Sequence, residues 1–374
     1  MKIERVDTFL ISHFLVIRIT TDDGTEGVGE SSYWAFPKAT KETVESLAPS
    51  LVGMDPADTE HIWNYLHRKH SFRGNSLSAA ISAIDIALWD IKGKRLGVPV
   101  WDLIGGKART KVRAMSLSVS GDTPDEVADQ AQKVKKNGFT ALKFIPMSDK
   151  WWLESYPNVI LNSLAMVEAV RETVGWDFDI AIEIHRNMSP HEAVVFIEKS
   201  AKYLPYFVED PIAPDGLLAM SEVSEKIKVP LAVGERNSGI WEFRDFAQLT
   251  KPHFLKPDVG LAGGIGHVKK IAAVAESQHI RIAPHNFLSP IVTAACVQLG
   301  ISTPNWDVLE AFDETIAPRN SVVKSPIPIV DGYYSLPELP GIGVEFDETM
   351  ASLLPFDPLG QPTPIRADGS VALR

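Results

Sequence analysis

Thiols are almost missing from this chain of 374 residues: Cys296, in VTAACVQLG, is the single cysteine. One cysteine excludes a disulfide framework within the chain and fits a reducing cytoplasm. In an alanine-rich stretch with a helical pattern it reads as packing, not as a nucleophile. Long apolar runs are missing too. No segment approaches the roughly 18 or more apolar residues of a membrane span. The N-terminal MKIERVDTFLISHFLVIRIT carries charges, lacks a small-residue cleavage site and alternates like a strand, so it reads as part of the fold and not as a leader. Basic clusters are absent as well: the net charge is −11 and the lysines and arginines are scattered, which argues against a nucleic-acid groove or a membrane surface as partner. What is present, 45% hydrophobic and 23% charged residues, describes a globular chain large enough for one big domain and a smaller one, with a small molecule as the expected partner.

Residues 1–110 read as an α+β unit. Strand-like segments at Phe14–Thr20 and Gly27–Glu30 flank the turn Asp22-Asp23-Gly24, whose glycine suits the positive φ of a hairpin. Ile81, Ile84, Leu88 and Ile91 then recur at helical spacing, in a helix expected to stop near Gly93. From 111 to 325 the rhythm becomes strand then helix: RAMSLSV, ALKFI, DIAIEI, YFVED, PLAVGE, FLKPD, RIAPH and WDVLE. Eight apolar strands with helical intervals fit a (β/α)₈ barrel or a close variant. A doubly wound sheet ranks second, because no glycine-rich phosphate loop follows the first strand. Residues 326–374, rich in Pro and Gly, resume no barrel rhythm and are expected to return to the N-terminal unit.

Chemistry-bearing residues end these strands. Glu183, Glu209 and Glu235 each close an apolar run, each 26 residues after the last, about one strand, crossover helix and return. Equal spacing places three carboxylates at one barrel mouth, and such crowding is tolerable only around a cation. An all-oxygen, hard donor set points to Mg²⁺. His185 lies two residues after Glu183, which in extended geometry would turn both side chains into the mouth. Asp258 and His285 end successive strands, so the carboxylate can orient the imidazole and raise its basicity. Lys143 and Glu310 end two further strands. The glycines of LAGGIG read as a tight turn and not as a phosphate loop, since no P-loop lysine accompanies them.

The motifs VEDP, VGER, KPD followed by GLAGGIG, and APHN, together with DDGTEGVGE and AIDIALWDIKGKRLGVPVWDLIGG, resemble the mandelate racemase branch of the enolase superfamily over essentially the whole chain. Within that branch the pattern looks most like the acid-sugar dehydratases of the galactonate and gluconate type. The resemblance implies an α/β fold, a modified TIM barrel (β/α)₇β with an N-terminal α+β capping domain. It implies one Mg²⁺ on Glu183, Glu209 and Glu235 and removal of a proton alpha to a carboxylate, a chemistry for which this superfamily is itself a standing example. His185 resembles the acid that protonates the departing β-hydroxyl, leaving His285, primed by Asp258, as the base, Lys143 as a cation facing the developing charge, and Glu310 as a partner of the carboxylate or of a hydroxyl.

Two departures bear on this. Glu183 stands where many relatives have aspartate. Lys143 is followed by Phe144 and Ile145, so the second lysine of the Lys-x-Lys pair common in racemases is missing. Tyr33, Trp34, Phe36 and Arg73 fall where mobile loops of the family cover the mouth, and Arg186, Asn187 and Asn237 are further candidates for sugar hydroxyls. The expectation is a Mg²⁺-dependent aldonate dehydratase, assembled as a homo-oligomer, for gluconate, galactonate or arabinonate. A racemase or epimerase and a non-catalytic sugar-acid binder are the alternatives.

Overall fold

The structure, a computed structural model, describes residues 1–69, 71–360 and 363–372. The chain begins with the antiparallel meander β1 (Ile3–Ile11), β2 (Phe14–Thr21) and β3 (Glu26–Ser31), in which Gly24 makes the turn at φ 82°. Three helices follow: α1 (Pro37–Leu47), α2 (Thr59–Lys69) and α3 (Asn75–Leu96). Helix α3 runs through Gly93 and stops only at Gly97, whose φ of 69° makes the left-handed cap. Gly93 serves packing instead of termination, because a Cβ there would lie 2.6 Å from Cα of Gly341. The same logic holds at Gly29, where a Cβ would meet the Ala83 carbonyl at 2.0 Å, so β3 presses backbone to backbone on α3.

After the short α4 (Val100–Leu103), strands and helices alternate: β4 (Val112–Ser116), α5 (Pro124–Lys136), β5 (Ala141–Phe144), α6 (Tyr156–Val174), β6 (Asp179–Glu183), α7 (Pro190–Ser200), β7 (Phe207–Glu209), α8 (Leu217–Lys226), β8 (Leu231–Val233), α9 (Gly239–Leu249), β9 (Phe254–Leu255), α10 (Gly264–Glu276), β10 (Arg281–Ile282), α11 (Pro290–Ser302) and β11 (Leu309–Ala311). The starts of α5 and α7 are set by capping boxes, Thr123 with Glu126 and Ser189 with Glu192. Neighbouring strands from β4 to β10 pair in parallel and β11 pairs with β4, while Ile282 joins Trp306, just before β11, by a single parallel bridge. Only a single 3-10 turn, Arg319–Ser321, and no α-helix lies between β11 and the next strand, so the arrangement is the (β/α)₇β variant.

The chain then forms the hairpin β12 (Ile329–Val330) and β13 (Tyr333–Tyr334), which adds antiparallel to β4. Short helix α12 (Glu348–Ala351) brings it back to the N-terminal sheet: Glu348 pairs with Arg18 at 2.7 Å, and the Asp357 amide donates to the Ser12 carbonyl at 2.7 Å. No helix among the described residues is long and apolar enough to cross a membrane.

One layer of the barrel interior positions everything that follows. Met115, Ala141, Ala181, Phe207, Ala232, Phe254, Ala283 and Val308, all but fully buried, form a single apolar cluster to which every barrel strand or its immediate flank contributes a residue. Four larger side chains and four alanines share the layer, so that the plug fills. Because strand side chains repeat every second residue, the next inward layer toward the C-terminal ends falls two positions on. That layer holds Lys143, Glu183, Glu209, Lys256, His285 and Glu310. Glu235 is set one residue further, past Gly234, which takes φ 125°.

Candidate active site

One oxygen from each of Glu183, Glu209 and Glu235 lies within 4.8 Å of the other two. Glu209 is fully buried and its Oε1 has no hydrogen-bond partner. A buried carboxylate oxygen without a donor, in a cradle of three hard oxygens, fits a divalent cation of the Mg²⁺ kind. The electrostatics are those of a site awaiting positive charge. Burial, then Glu183, pushes the Glu209 carboxyl up to about 8. Burial also raises Glu183, against the pull of Lys143. For Glu235 burial is outweighed by His285, Arg186 and Lys143, which hold it well below the usual carboxylate range.

Two ammonium groups knit the rest of the layer. Lys143 Nζ lies 3.0 Å from Glu183 Oε2, 2.8 Å from Glu209 Oε2 and 2.5 Å from Glu310 Oε1. Lys256, with no exposed surface, donates to Glu310 Oε1 at 2.6 Å and to the Ala283 carbonyl at 3.1 Å, and stands 3.3 Å from Glu209 Oε2. Lys256 is not among the candidates drawn from the sequence, although it lies in FLKPD two residues past the plug residue Phe254, in phase with the glutamates. Burial would raise the Glu310 carboxyl, but Lys143, Lys256 and His285 together bring it down to about 2. Glu310 is therefore a carboxylate here, and the Asn286 amide donates to its Oε2 at 2.8 Å.

His285 meets Asp258 as the sequence implied: Nδ1 lies 2.9 Å from Asp258 Oδ2. The same oxygen accepts from Ser32 Oγ at 2.9 Å, and Oδ1 accepts from the Gly260 amide at 2.8 Å. The carboxylate is thus held at both oxygens, one of them by a residue of the N-terminal unit. His285 Nε2 points toward Glu235, 3.9 Å from Oε2. Burial alone would lower this imidazole, yet Glu235, Asp258 and Glu310 outweigh it and raise it to about 9.

His185 reaches the mouth by a different route from the one expected. Strand β6 ends at Glu183, and His185 and Arg186 both take left-handed backbone, φ 54° and 67°. The extended alternation therefore does not apply; the turn is pinned instead by the His185 amide donating to Glu183 Oε1 at 2.7 Å. Its Nε2 lies 2.7 Å from Arg186 Nη2.

Lys143, Glu183, His185, Glu235, His285 and Glu310 line one cavity of about 580 Å³, joined by Asn187 and Trp34. Glu209 and Asp258 lie buried within the same network. The other substrate candidates are not brought to this cavity. Arg186 is buried beneath it, paired with Asp210 at 3.3 Å and with Glu235, so it holds the Glu235 carboxylate in place. Tyr33 is buried and packs on His13 and Phe287. Asn237 donates to Glu242 at 3.2 Å, and Phe36 is exposed. Arg73 lies over the Trp241 ring at 5.3 Å and lines a separate cavity of about 260 Å³ between the N-terminal helices and α9.

Residues 5–105 match the mandelate racemase / muconate lactonizing enzyme N-terminal domain, and residues 126–350 match the enolase C-terminal domain-like family. The chain is 31% identical to a D-galactonate dehydratase of Variovorax paradoxus (strain S110) and 32% identical to one of Xanthomonas euvesicatoria pv. vesicatoria (strain 85-10), each over the full length of both chains. Among solved structures it superposes with a TM-score of 0.95 and 29% identity, over all of both chains, on an enolase of Agrobacterium radiobacter, named as a candidate galactarate dehydratase and holding sodium and L-malate. A candidate dehydratase of Mesorhizobium loti gives a TM-score of 0.88 at 32% identity over 95% of this chain and 98% of that one.

Proposed function

The chain belongs to the mandelate racemase / muconate lactonizing enzyme family of the enolase superfamily, and on that premise we propose that this hydro-lyase is a Mg²⁺-dependent dehydratase of an aldonate of the gluconate, galactonate or arabinonate type. Glu183, Glu209 and Glu235 would hold the ion. When bound, Mg²⁺ supplies electrophilic stabilisation of the charge that develops on the substrate carboxylate as the α-proton leaves.

The observation that carries the reading is the placement of two histidines about one cavity. β6 is the third and β10 the seventh of eight barrel strands, so His185 and His285 approach from opposite sides. With Nδ1 committed to Asp258, His285 presents Nε2 to the cavity, and a cation held beside Glu235 would offset the negative charge that keeps the imidazole protonated, so that Nε2 serves as the base. The α C–H bond breaks, its proton passes to His285, and the Lys143 ammonium faces the negative charge gathering on the carboxylate. The electron pair then forms the new double bond as the β C–O bond breaks. His185 delivers a proton to the departing hydroxyl, water leaves, and the enol tautomerises to a 2-keto-3-deoxy acid. Glu310, kept ionised by two lysines, accepts a hydrogen bond from a substrate hydroxyl.

The test is incubation of the protein and Mg²⁺ in D₂O with five- and six-carbon aldonic and aldaric acids, reading 2-keto products with semicarbazide and α-deuterium by mass. Water loss should be seen with at least one aldonate. His285→Asn should abolish both exchange and elimination, and His185→Asn should spare exchange while suppressing water loss. Exchange without water loss in the unmodified protein would replace the reading by a racemase or epimerase, and no turnover of any acid would replace it by a binding protein.

A further inference from the structure

The cavity has two unlike halves. Its floor is the charged layer already described. Its outer wall is built mainly by one loop, residues 145–155 after β5, which contributes Ile145, Met147, Asp149, Trp151 and Trp152 to the lining, with Trp34 and Phe312 from other loops. Ile145 stands where racemases carry a second lysine, so that position is apolar here.

This loop is braced. Ser148 Oγ donates to Glu154 Oε1 at 2.6 Å, Asn162 Nδ2 to Glu154 Oε2 at 2.8 Å, and the Asp149 amide to Asp122 Oδ1 at 2.6 Å. Trp151 and Trp152 meet edge to face at 6.1 Å. The bracing holds the segment that carries both indoles.

Charge divides the same way. Among the described residues lining the cavity, Lys143 is the one lysine or arginine, and its ammonium is bound to three carboxylates. The charged group on the outer wall is Asp149, an anion. Between floor and wall sits Asn187, 7% exposed, whose Oδ1 is buried without a partner and whose Nδ2 has only the Met147 sulfur at 3.6 Å.

We propose that the substrate is a monocarboxylic sugar acid with an uncharged, C–H-rich far end, the 6-deoxyhexonates being the clearest case, and that its dicarboxylic counterpart is turned away. This rests on the sugar-acid reading above. One carboxylate goes to the floor, beside Lys143 and the three glutamates that would hold Mg²⁺. A middle hydroxyl donates to Asn187 Oδ1 and relieves a buried unmet acceptor. The far end packs on the Trp151 and Trp152 faces, where a methyl gains contact and a second carboxylate would meet Asp149 and no free cation. Trp151, Trp152 and Asp149 are then the specificity-determining residues.

The experiment compares a 6-deoxyhexonate, the hexonate and the hexarate in the galacto, gluco and manno series. Turnover is measured with the Mg²⁺-loaded enzyme, and binding by calorimetry with Mg²⁺-loaded His285→Asn. In the accepted series the deoxy acid should exceed the hexonate by about tenfold, the scale of one group in an apolar pocket, and the hexarate should fall about tenfold or more below the hexonate. Trp152→Ala should bring the first ratio toward one, and Asp149→Asn should narrow the second several-fold. A hexarate that binds as well as the hexonate overturns the proposal even if it is dehydrated, as does failure of all three acids to bind. The expected binding order without water loss from any acid would leave it standing and sink the dehydratase reading instead.

Discussion

Replacing Asp258 by Asn changes one atom and should silence the base. The carboxylate has no exposed surface and satisfies three donors: Ser32 Oγ and His285 Nδ1 at Oδ2, and the Gly260 amide at Oδ1. An amide offers one oxygen. If that oxygen faces Gly260, the new NH₂ faces Ser32 and the imidazole. The serine hydroxyl can turn and accept, but His285 must then present the lone pair of Nδ1, which moves its proton to Nε2. If the amide is flipped, NH₂ confronts the Gly260 N–H, and a buried donor left unmet costs about 1–3 kcal/mol. The first orientation therefore wins, and the nitrogen facing the cavity becomes a donor that cannot take a proton.

The same carboxylate-to-amide change behind the histidine of a serine protease triad costs on the order of 10⁴ in kcat. We expect about 10³ to 10⁴ here, with KM and Mg²⁺ affinity little changed, since Asp258 touches neither substrate nor ion. α-Deuterium exchange should fall in parallel with water loss. In the neutral imidazole, reached by titrating above about 9, nitrogen NMR of His285 should show the proton moved from Nδ1 to Nε2. Activity within tenfold of the unmodified enzyme, or a neutral imidazole that still carries its proton on Nδ1, would refute this account. Ser32→Ala removes one of two donors to Oδ2 and should show a milder loss with the tautomer retained.

Lys256→Met should destabilise the fold by about 3–5 kcal/mol in urea melts, because Glu310 and Glu209 lose a buried counter-charge; a loss below about 1 kcal/mol would show that Lys143 alone suffices. Glu209→Gln should weaken Mg²⁺ binding about 100-fold by calorimetry, since a neutral amide replaces a charged hard oxygen ligand; unchanged affinity would remove Glu209 from the triad. His267 links stability to acid. Burial, then Lys270 and His67, lowers its imidazole to about 3, and the ring stacks on Trp63 at 4.0 Å where α2 meets α10. The folded state keeps it neutral while the unfolded chain protonates it near 6.5. This contribution is therefore full above 6.5 and lost as pH falls toward 3, by up to about 1.4 kcal/mol per unit and about 2 kcal/mol at pH 5. Urea midpoints at pH 7 and pH 5 should show that extra loss in the unmodified protein and not in His267→Gln; equal slopes would refute it.

The residues legible in the sequence are those that act along a single strand. Glu183, Glu209, His285 and Glu310 end apolar runs, and the period of two that puts an apolar residue in the plug puts each of them one layer above it. Lys256 obeys the same rule two residues past Phe254, and what the sequence does not carry is the enclosure of its ammonium by two carboxylates from other strands. His185 shows the opposite case: the right residue with the wrong geometry, since strand alternation ends at Glu183 and two left-handed residues follow.

What could not be read is what crosses between the two units. Ser32 reaches Asp258 across 226 residues of chain, and Glu30, fully buried and raised to about 8 by burial, takes the Ser289 hydroxyl at 2.6 Å across 259. Asp85, on α3, accepts the Gly266 amide at the start of α10 at 2.9 Å. These bonds join the N-terminal unit to the barrel immediately behind the base, and no local pattern announces them, because each partner taken alone is an ordinary polar residue at a strand or helix end. Their consequence is functional: the residue after β3 helps to set the position of the Asp258 carboxylate, so a change in the N-terminal unit that shifts Ser32 by a fraction of an ångström alters the aim of the His285 ring through that carboxylate.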